Sequence, residues 1–371
     1  MNRRLIALAA GGLMIIAAQP ARAQGTGPGI GSPLVPTGEQ TNSRVGTRGA
    51  NFLEVGLGAR AMGMAGAYSS LAEGLSGLYW NLAGTADVDN FAGGINYVEL
   101  YGKDGLDYIW GGALLPIGGG VIGVQVGQMS SGDIRRTTFD FPDGGDPTVG
   151  DTYDFSGTMA ELSYARRLTD RLNFGLGAKY ATEGVSNAKA NWYGIDVGLR
   201  FKTGLYGTTL GASLQNVGGS GRYSGNLITA NSIDEFAPGL VRVNFRTENF
   251  EMPTVFRFSL MTDLLGGSEA LLSQNASLGT LRAVGQFDQA IDTDLQGTIG
   301  LEYGWRNIAF LRGGKRWMNE ADSGYQNFER GFAFGGGVRI PVGGRHMAFD
   351  YAWNGQGELP NTNHFSFEIG F

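Results

Sequence analysis

The sequence predicts an all-β transmembrane protein, a single antiparallel outer-membrane β-barrel of about fourteen strands with an N-terminal, partly helical plug. Three observations predict it. The chain opens on an export signal, no later stretch is apolar enough for a spanning helix, and apolar ladders of period two recur from about residue 92 to the end. A strand with one face in lipid and one in a polar lumen shows this alternation, and its backbone is satisfied only if the sheet closes.

The elements follow in order. Arg3 and Arg4 precede an apolar run from Leu5 to Ala18, then Pro20 and the small-residue site Ala21-Arg22-Ala23. Residues 1–23 read as a secretory signal peptide cleaved before Gln24, too short in its apolar part to span a membrane. Residues 24–51, rich in Gly, Pro, Ser and Thr, read as a flexible periplasmic lead-in. Residues 52–91 lose the alternation and are dense in Ala, Gly and Met, which suits a compact plug inside a barrel mouth. Within them Leu71, Leu75 and Leu78 are spaced for one short helix. Residues 92–371 read as the barrel.

Its ladders are explicit. Tyr193, Ile195, Val197, Leu199 and Phe201 oppose Gly194, Asp196, Gly198, Arg200 and Lys202. Leu295, Ile299, Leu301, Tyr303 and Trp305 oppose Gln296, Thr298, Gly300 and Glu302. Phe332, Phe334, Val338 and Ile340 oppose Ala333, Gly335, Gly337 and Arg339, and Met347, Phe349, Tyr351 and Trp353 oppose Ala348, Asp350 and Ala352. Connections alternate between tight (around 116–119, 168–171, 203–206, 306–307 and 342–344) and long (132–156, 217–251 and 319–330), as periplasmic turns and external loops do. The turn near 264–279 is longer than its side predicts. Phe365, Phe367, Ile369 and Phe371 form the closing ladder, similar to the insertion signature on which bacterial outer-membrane barrels commonly finish.

The plug stretch contains Phe52-Leu53, Gly56, Gly58-Ala59-Arg60-Ala61, Gly63-Met64 and Gly66-Ala67-Tyr68, then Tyr79-Trp80-Asn81 and Ala83-Gly84. It resembles the opening of the PorV/PorQ group of outer-membrane proteins, relatives of the fatty-acid transporter FadL. Leu82 departs from the Pro usual there, and Glu73 stands where Asp is common. The resemblance implies an accessory barrel of type IX-like protein secretion, with secretion-system proteins or exported cargo as partners. The alternative it implies is a FadL-like passive channel, with a hydrophobic ligand between plug and wall beside Phe52, Leu53, Tyr79 and Trp80. Both place the protein in outer-membrane lipid.

Composition narrows the remaining classes. Glycine is abundant, at 64 residues, yet aromatics reach 11%, which excludes a disordered low-complexity chain. Loss of residues 1–23 removes three arginines and leaves 25 basic against 34 acidic residues, a net −9 that argues against nucleic acid. There is no cysteine, hence no thiolate metal site. Mean hydropathy is only −0.10, because alternation averages out. The two histidines, His346 and His364, begin successive antiparallel strands and so fall at opposite membrane faces, where they cannot share a catalytic site. No enzyme, cofactor or metal is expected: the glycine runs near residues 56–58 and 335–337 open no βαβ unit, and the acids from Asp140 to Asp154 match no calcium loop. The inward charges Asp196, Arg200, Lys202, Glu302, Arg339, Asp350 and Glu368 are expected to pair across the wall or hold the plug, with Arg60 as the plug residue that meets the acids.

Overall fold

The computed structural model describes residues 46–102, 105–148, 150–225, 229–233, 240–244, 247–293, 295–318 and 330–370. The predicted signal peptide, most of the lead-in and Phe371 lie outside these residues. All of the described residues belong to the compact unit that begins at Arg44.

Fourteen strands close into one antiparallel barrel: β1 (Ala92–Leu100), β2 (Leu106–Ile117), β3 (Gly120–Ser130), β4 (Phe155–Arg167), β5 (Leu172–Val185), β6 (Ala188–Lys202), β7 (Thr209–Gly218), β8 (Val255–Leu265), β9 (Thr280–Ala290), β10 (Gln296–Trp305), β11 (Ala309–Met318), β12 (Phe332–Val342), β13 (Arg345–Asn354) and β14 (Thr362–Ile369). Each pairs with its sequence neighbours, and β14 returns to β1 with Phe365 opposite Tyr97 and Phe367 opposite Ile95. The strand that carries the terminal aromatic ladder is thus the one that closes the wall.

The alternation read from the sequence is the alternation observed. Along β6, Tyr193, Ile195, Leu199 and Phe201 face outward and are exposed, whereas Asp196 and Arg200 are buried within the barrel. An outward belt of Ile, Leu, Val and aromatic residues on every part of the wall is the surface that lipid requires. No helix among the described residues is long and apolar enough to cross a membrane. Two strand pairs carry a register shift, β6–β7 at Ile195/Val197 and β8–β9 at Asp263/Leu265. The second leads into the long turn between Leu265 and Thr280, which holds a short 3-10 segment, Ala276–Leu278. The long loop after β3 carries its own two-residue ladder, Ile134–Arg135 with Thr152–Tyr153.

Inside the barrel, residues 49–88 run from the long-loop rim to the tight-turn rim. At the first rim the Gly49 N–H donates to the Glu251 carbonyl at 3.0 Å, and Arg48 pairs with the Glu251 carboxylate. At the second, Asp87 meets Arg167 and Lys202 beside the turns after β4 and β6. Regular structure in this plug comes in pieces of one or two turns: Asn51–Glu54, Ala59–Met62, Gly74–Ser76, Gly77–Trp80 and Leu82–Asp87. The one helix expected over Leu71, Leu75 and Leu78 does not form. Gly74, at φ 60°, breaks it, and the chain continues as a 3-10 turn and then one α turn. All three leucines are nonetheless fully buried, because the bent path seats each against the wall or the rest of the plug.

Candidate functional site: the plug–wall interface

A chain with so little regular structure leaves many backbone groups without partners of its own, and burying them unpaired would be costly. Side chains of the wall supply the partners. Gln286 accepts from the N–H groups of Tyr68 and Ser69 at 2.9 Å each and donates to the Gly66 carbonyl at 2.9 Å. Arg316 donates twice to the Ala65 carbonyl, at 3.1 and 2.6 Å. Asn354 donates to the Met62 carbonyl at 3.0 Å, and Ser366 accepts from the Ala59 N–H at 2.7 Å. Gln125 donates to the Leu78 carbonyl at 2.7 Å and Arg200 to the Ser70 carbonyl at 3.0 Å.

Charge pairing adds direction. Arg60, in the Ala59–Met62 turn, makes a two-pronged contact with Glu302 of β10, both bonds 2.8 Å. Arg312 of β11 donates to the same carboxylate at 2.8 Å and to Asp350 at 2.5 Å. Arg200 reaches Glu73 at 2.7 Å and Asp87 at 3.1 Å. In the wall, Lys179 joins Asp196 at 2.7 Å, Asn216 at 2.8 Å and Glu161 at 3.3 Å. Of the charges read as inward, Asp196, Arg200, Lys202, Glu302 and Asp350 therefore pair across the wall or hold the plug.

Glycines of the wall let the plug backbone approach. A Cβ at Gly314 would stand 2.3 Å from the Met64 carbonyl carbon, one at Gly211 2.6 Å from the Ser70 Cα, and one at Gly175 2.5 Å from the Leu82 carbonyl carbon. No side chain fits at these points while the plug is docked.

The motif residues are brought together in this interface. Gly58 adopts φ 87° at the start of the Arg60 turn. Gly63 packs against the backbone of Gly335. The Tyr68 ring lies under Arg60, 5.6 Å from the guanidinium carbon, and its hydroxyl is 2.9 Å from Ser76 Oγ. Asn81 donates to the carbonyls of Ser69 and Leu199 and accepts from the Ala83 N–H. Leu82, in place of Pro, is buried against Gly175 and Gly177 of β5.

Phe52, Leu53, Tyr79 and Trp80 gather in the half of the lumen under the long loops. The Tyr79 hydroxyl donates to the Leu53 carbonyl at 3.1 Å, and the Trp80 indole N–H to the Leu57 carbonyl at 2.7 Å. Their rings meet edge-on at 5.2 Å, and Phe52 meets Tyr108 edge-on at 6.2 Å. Arg257 of β8 lies over both Tyr79 and Trp80. Beside them burial, then the Asp292 carboxylate, pushes the Glu54 carboxyl up to about 7 against the pull of Arg257.

The wall residues that grip the plug, Gln286, Arg316 and Asn354 directly and Arg312 through Glu302, are not legible in the sequence as site residues. Their inward parity marks them as lumenal, but nothing local names a partner more than a hundred positions away. In the long acidic loop after β3, Asp146 is satisfied by the protein itself, accepting from the Thr138 hydroxyl and from the Thr148 N–H and hydroxyl.

Two cavities flank the β11–β13 wall. One, about 310 Å³, lies at the inner side among Arg60, Glu73, Asp87, Arg339 and Glu368. The other, about 870 Å³, is an apolar groove on the lipid-facing side lined by Leu311, Gly336, Phe349, Tyr351 and Phe365. They share Phe310, Val338 and Asp350, where the wall is thinned by Gly335-Gly336-Gly337.

No family model and no curated protein matches the sequence. Among solved structures the chain is similar to the Pseudomonas putida toluene transporter TodX, at 14% identity and TM-score 0.52 over 85% of this chain and 96% of that one. It is similar to the Ralstonia pickettii toluene transporter TbuX, at 12% identity and TM-score 0.53 over 85% and 98%. It is also similar to the monoaromatic hydrocarbon channel CymD, at 12% and 0.52 over 85% and 98%. Identities this low speak for the fold alone. The chain is thus a closed fourteen-stranded antiparallel barrel with the fold of these solved transporters and channel.

Proposed function

We propose that the protein is a passive, non-enzymatic outer-membrane channel for hydrophobic small molecules, gated by its plug. The observation that carries this reading is the shared fold. Nearly the whole length of three proteins described as toluene transporters or a hydrocarbon channel superposes on this barrel. The plug geometry supports it. Phe52, Leu53, Tyr79 and Trp80 pack as a buried apolar cluster in the half of the lumen under the long loops, which a ligand would reach as the plug shifts, and hydrogen bonds and ion pairs, which can exchange for water, hold the plug in place. The two cavities share Phe310, Val338 and Asp350, and that stretch of wall is where a lateral exit from lumen to lipid would open.

The secretion-accessory reading draws less support. The residues that carry the PorV/PorQ resemblance, in the stretches from Phe52 to Tyr68 and from Tyr79 to Gly84, are buried in the plug–wall interface, apart from the half-buried Gly56 and Arg60. They position the plug and offer no surface to cargo, so that reading would rest on the external loops instead. Affinity purification of the protein from native outer membranes, with mass spectrometry of proteins and small molecules, separates the two. A barrel that carries an apolar small molecule and no stoichiometric partner supports the channel. Co-purifying secretion subunits or exported proteins would replace it with the accessory role.

A further inference from the structure

Resting on the channel reading, we infer that the plug opens from its outer end, and that the feet of the long loop between β7 and β8 are the latch that a molecule arriving at the loop rim must undo. Residues 220–225 and 247–251 form these feet. Ser220 stands opposite Glu251 and Gly221 opposite Phe250, and the Tyr223 N–H donates to Thr247 Oγ1 at 3.1 Å. The first foot is stitched to β6, where Lys189 and Ser224 exchange two backbone bonds at 2.9 and 3.0 Å. The second is tied to the same strand by the Trp192 indole N–H, which donates to the Phe250 carbonyl at 2.7 Å.

The plug begins as one more strand on this patch. Arg48 lies beside Glu251 in a parallel bridge, the Gly49 N–H donates to the Glu251 carbonyl at 3.0 Å, and the Arg48 guanidinium pairs with the Glu251 carboxylate. Gly49 lies flat on Trp192, because a Cβ there would stand 2.3 Å from the ring. The next residue joins plug, loop and wall: Glu183 of β5 accepts from both the Ala50 N–H and the Tyr223 hydroxyl. Ala50 itself is buried at φ 59°, a left-handed conformation that an alanine keeps only while its surroundings hold it.

The two ends of the plug are held unequally. At the inner end Arg200, its side chain 2% exposed, pairs with Glu73 at 2.7 Å and Asp87 at 3.1 Å, and Lys202 reaches Asp87 at 3.0 Å. Only Asp89, Asn90 and Phe91 then separate Val88 from β1, so this end is leashed to the wall. At the outer end the ion pair rests on a Glu251 side chain that is 62% exposed, and a pair so open to water contributes little. The latch is apolar where an entering molecule meets it. Tyr223 touches Trp192 edge-on at 6.2 Å and Phe250 edge-on at 6.0 Å. Tyr223 and Phe250 are half-buried where Phe52 and Tyr79 are buried, so a hydrophobic molecule from the loop side reaches them first. Wedged among these rings, it parts Tyr223 from Glu183 and so frees Ala50.

The chain has no cysteine, so one engineered pair at a time can lock the latch. Arg48→Cys with Glu251→Cys bridges plug to loop, whereas Ser220→Cys with Glu251→Cys bridges the two feet to each other and leaves the plug free. Both are bridge partners in the structure, close enough for a disulfide. The purified full-length barrels are compared in planar bilayers in potassium chloride, with mass spectrometry confirming each disulfide. The plug-to-loop bridge is expected to hold conductance at or below the wild-type level, and its reduction to raise conductance about tenfold, the scale of one released contact. The loop-to-loop bridge is expected to conduct as freely before reduction as after it. A plug-to-loop variant that conducts equally bridged and reduced overturns the inference and leaves the channel reading standing. Both bridges closing the barrel alike also overturns it, because stiffness of the loop and not release of the plug would then set the conductance. Toluene uptake no faster in cells carrying the wild type or the reduced plug-to-loop variant than in cells without the protein overturns the inference and the channel reading together.

Discussion

At the scale of single residues, the plug is held by a few buried polar contacts whose removal has calculable signs. Arg60 and Glu302 form a two-pronged pair in which Glu302 is buried and also carries Arg312. Truncating Arg60 removes two charge-assisted hydrogen bonds and leaves the Glu302 charge to Arg312, at a cost of about 1.5–3 kcal/mol. Arg60→Ala is therefore expected to loosen the plug, seen as raised conductance in planar bilayers and earlier loss of heat-modifiability. Unchanged conductance would remove Arg60 from the gate.

Glu54 gives a pH signature. Its carboxyl ionises near 4.5 when unperturbed and near 7 in the docked plug, because burial and Asp292 disfavour its charge. A raised carboxyl favours the docked state fully below about 4.5, and that contribution is lost as pH rises through about 7. Plug docking, read by protease protection, is expected to weaken from pH 5 to pH 8 in the wild type and to be flat across that window in Glu54→Gln. An identical profile in both would assign the pH dependence to another group.

At the scale of elements, the glycines of β11 offer a matched pair. A Cβ at Gly314 would stand 2.3 Å from the Met64 backbone, whereas one at Gly313, on the outward face, meets nothing closer than 3.9 Å. Gly314→Ala is expected to push the plug from its seat at a cost of about 1–3 kcal/mol, read as new protease cleavage within residues 49–88. Gly313→Ala is expected to be silent. Equal sensitivity of the two would mean that the wall, and not the plug, needs these glycines.

The same contrast explains how much of the structure is legible in the chain. Strand identity is a local property: the parity of Tyr193 to Phe201 or of Phe365 to Ile369 already states which face meets lipid, so the wall and its fourteen strands can be read directly. The plug is not local. Leu71, Leu75 and Leu78 have helical spacing, but Gly74 and the contours of the wall decide their path. Arg60 can be named because an arginine in an apolar stretch must find an acid. That the acid is Glu302, and that Gln286, Arg316 and Asn354 hold the plug backbone, depends on a closure that no short window contains.

At the scale of the whole molecule, an apolar belt outside, a polar and glycine-rich lumen, and a plug fixed by replaceable contacts are the features on which the proposed gated passage rests. The barrels whose fold it shares are described as transporters or channels of hydrocarbons. Uptake of radiolabelled toluene and para-cresol into intact cells lacking the chromosomal gene, with and without the protein restored, measures the proposed passage itself. Faster entry of these aromatics is expected when the barrel is present, and faster still with Arg60→Ala. Uptake that does not depend on the protein, for either aromatic, would contradict it.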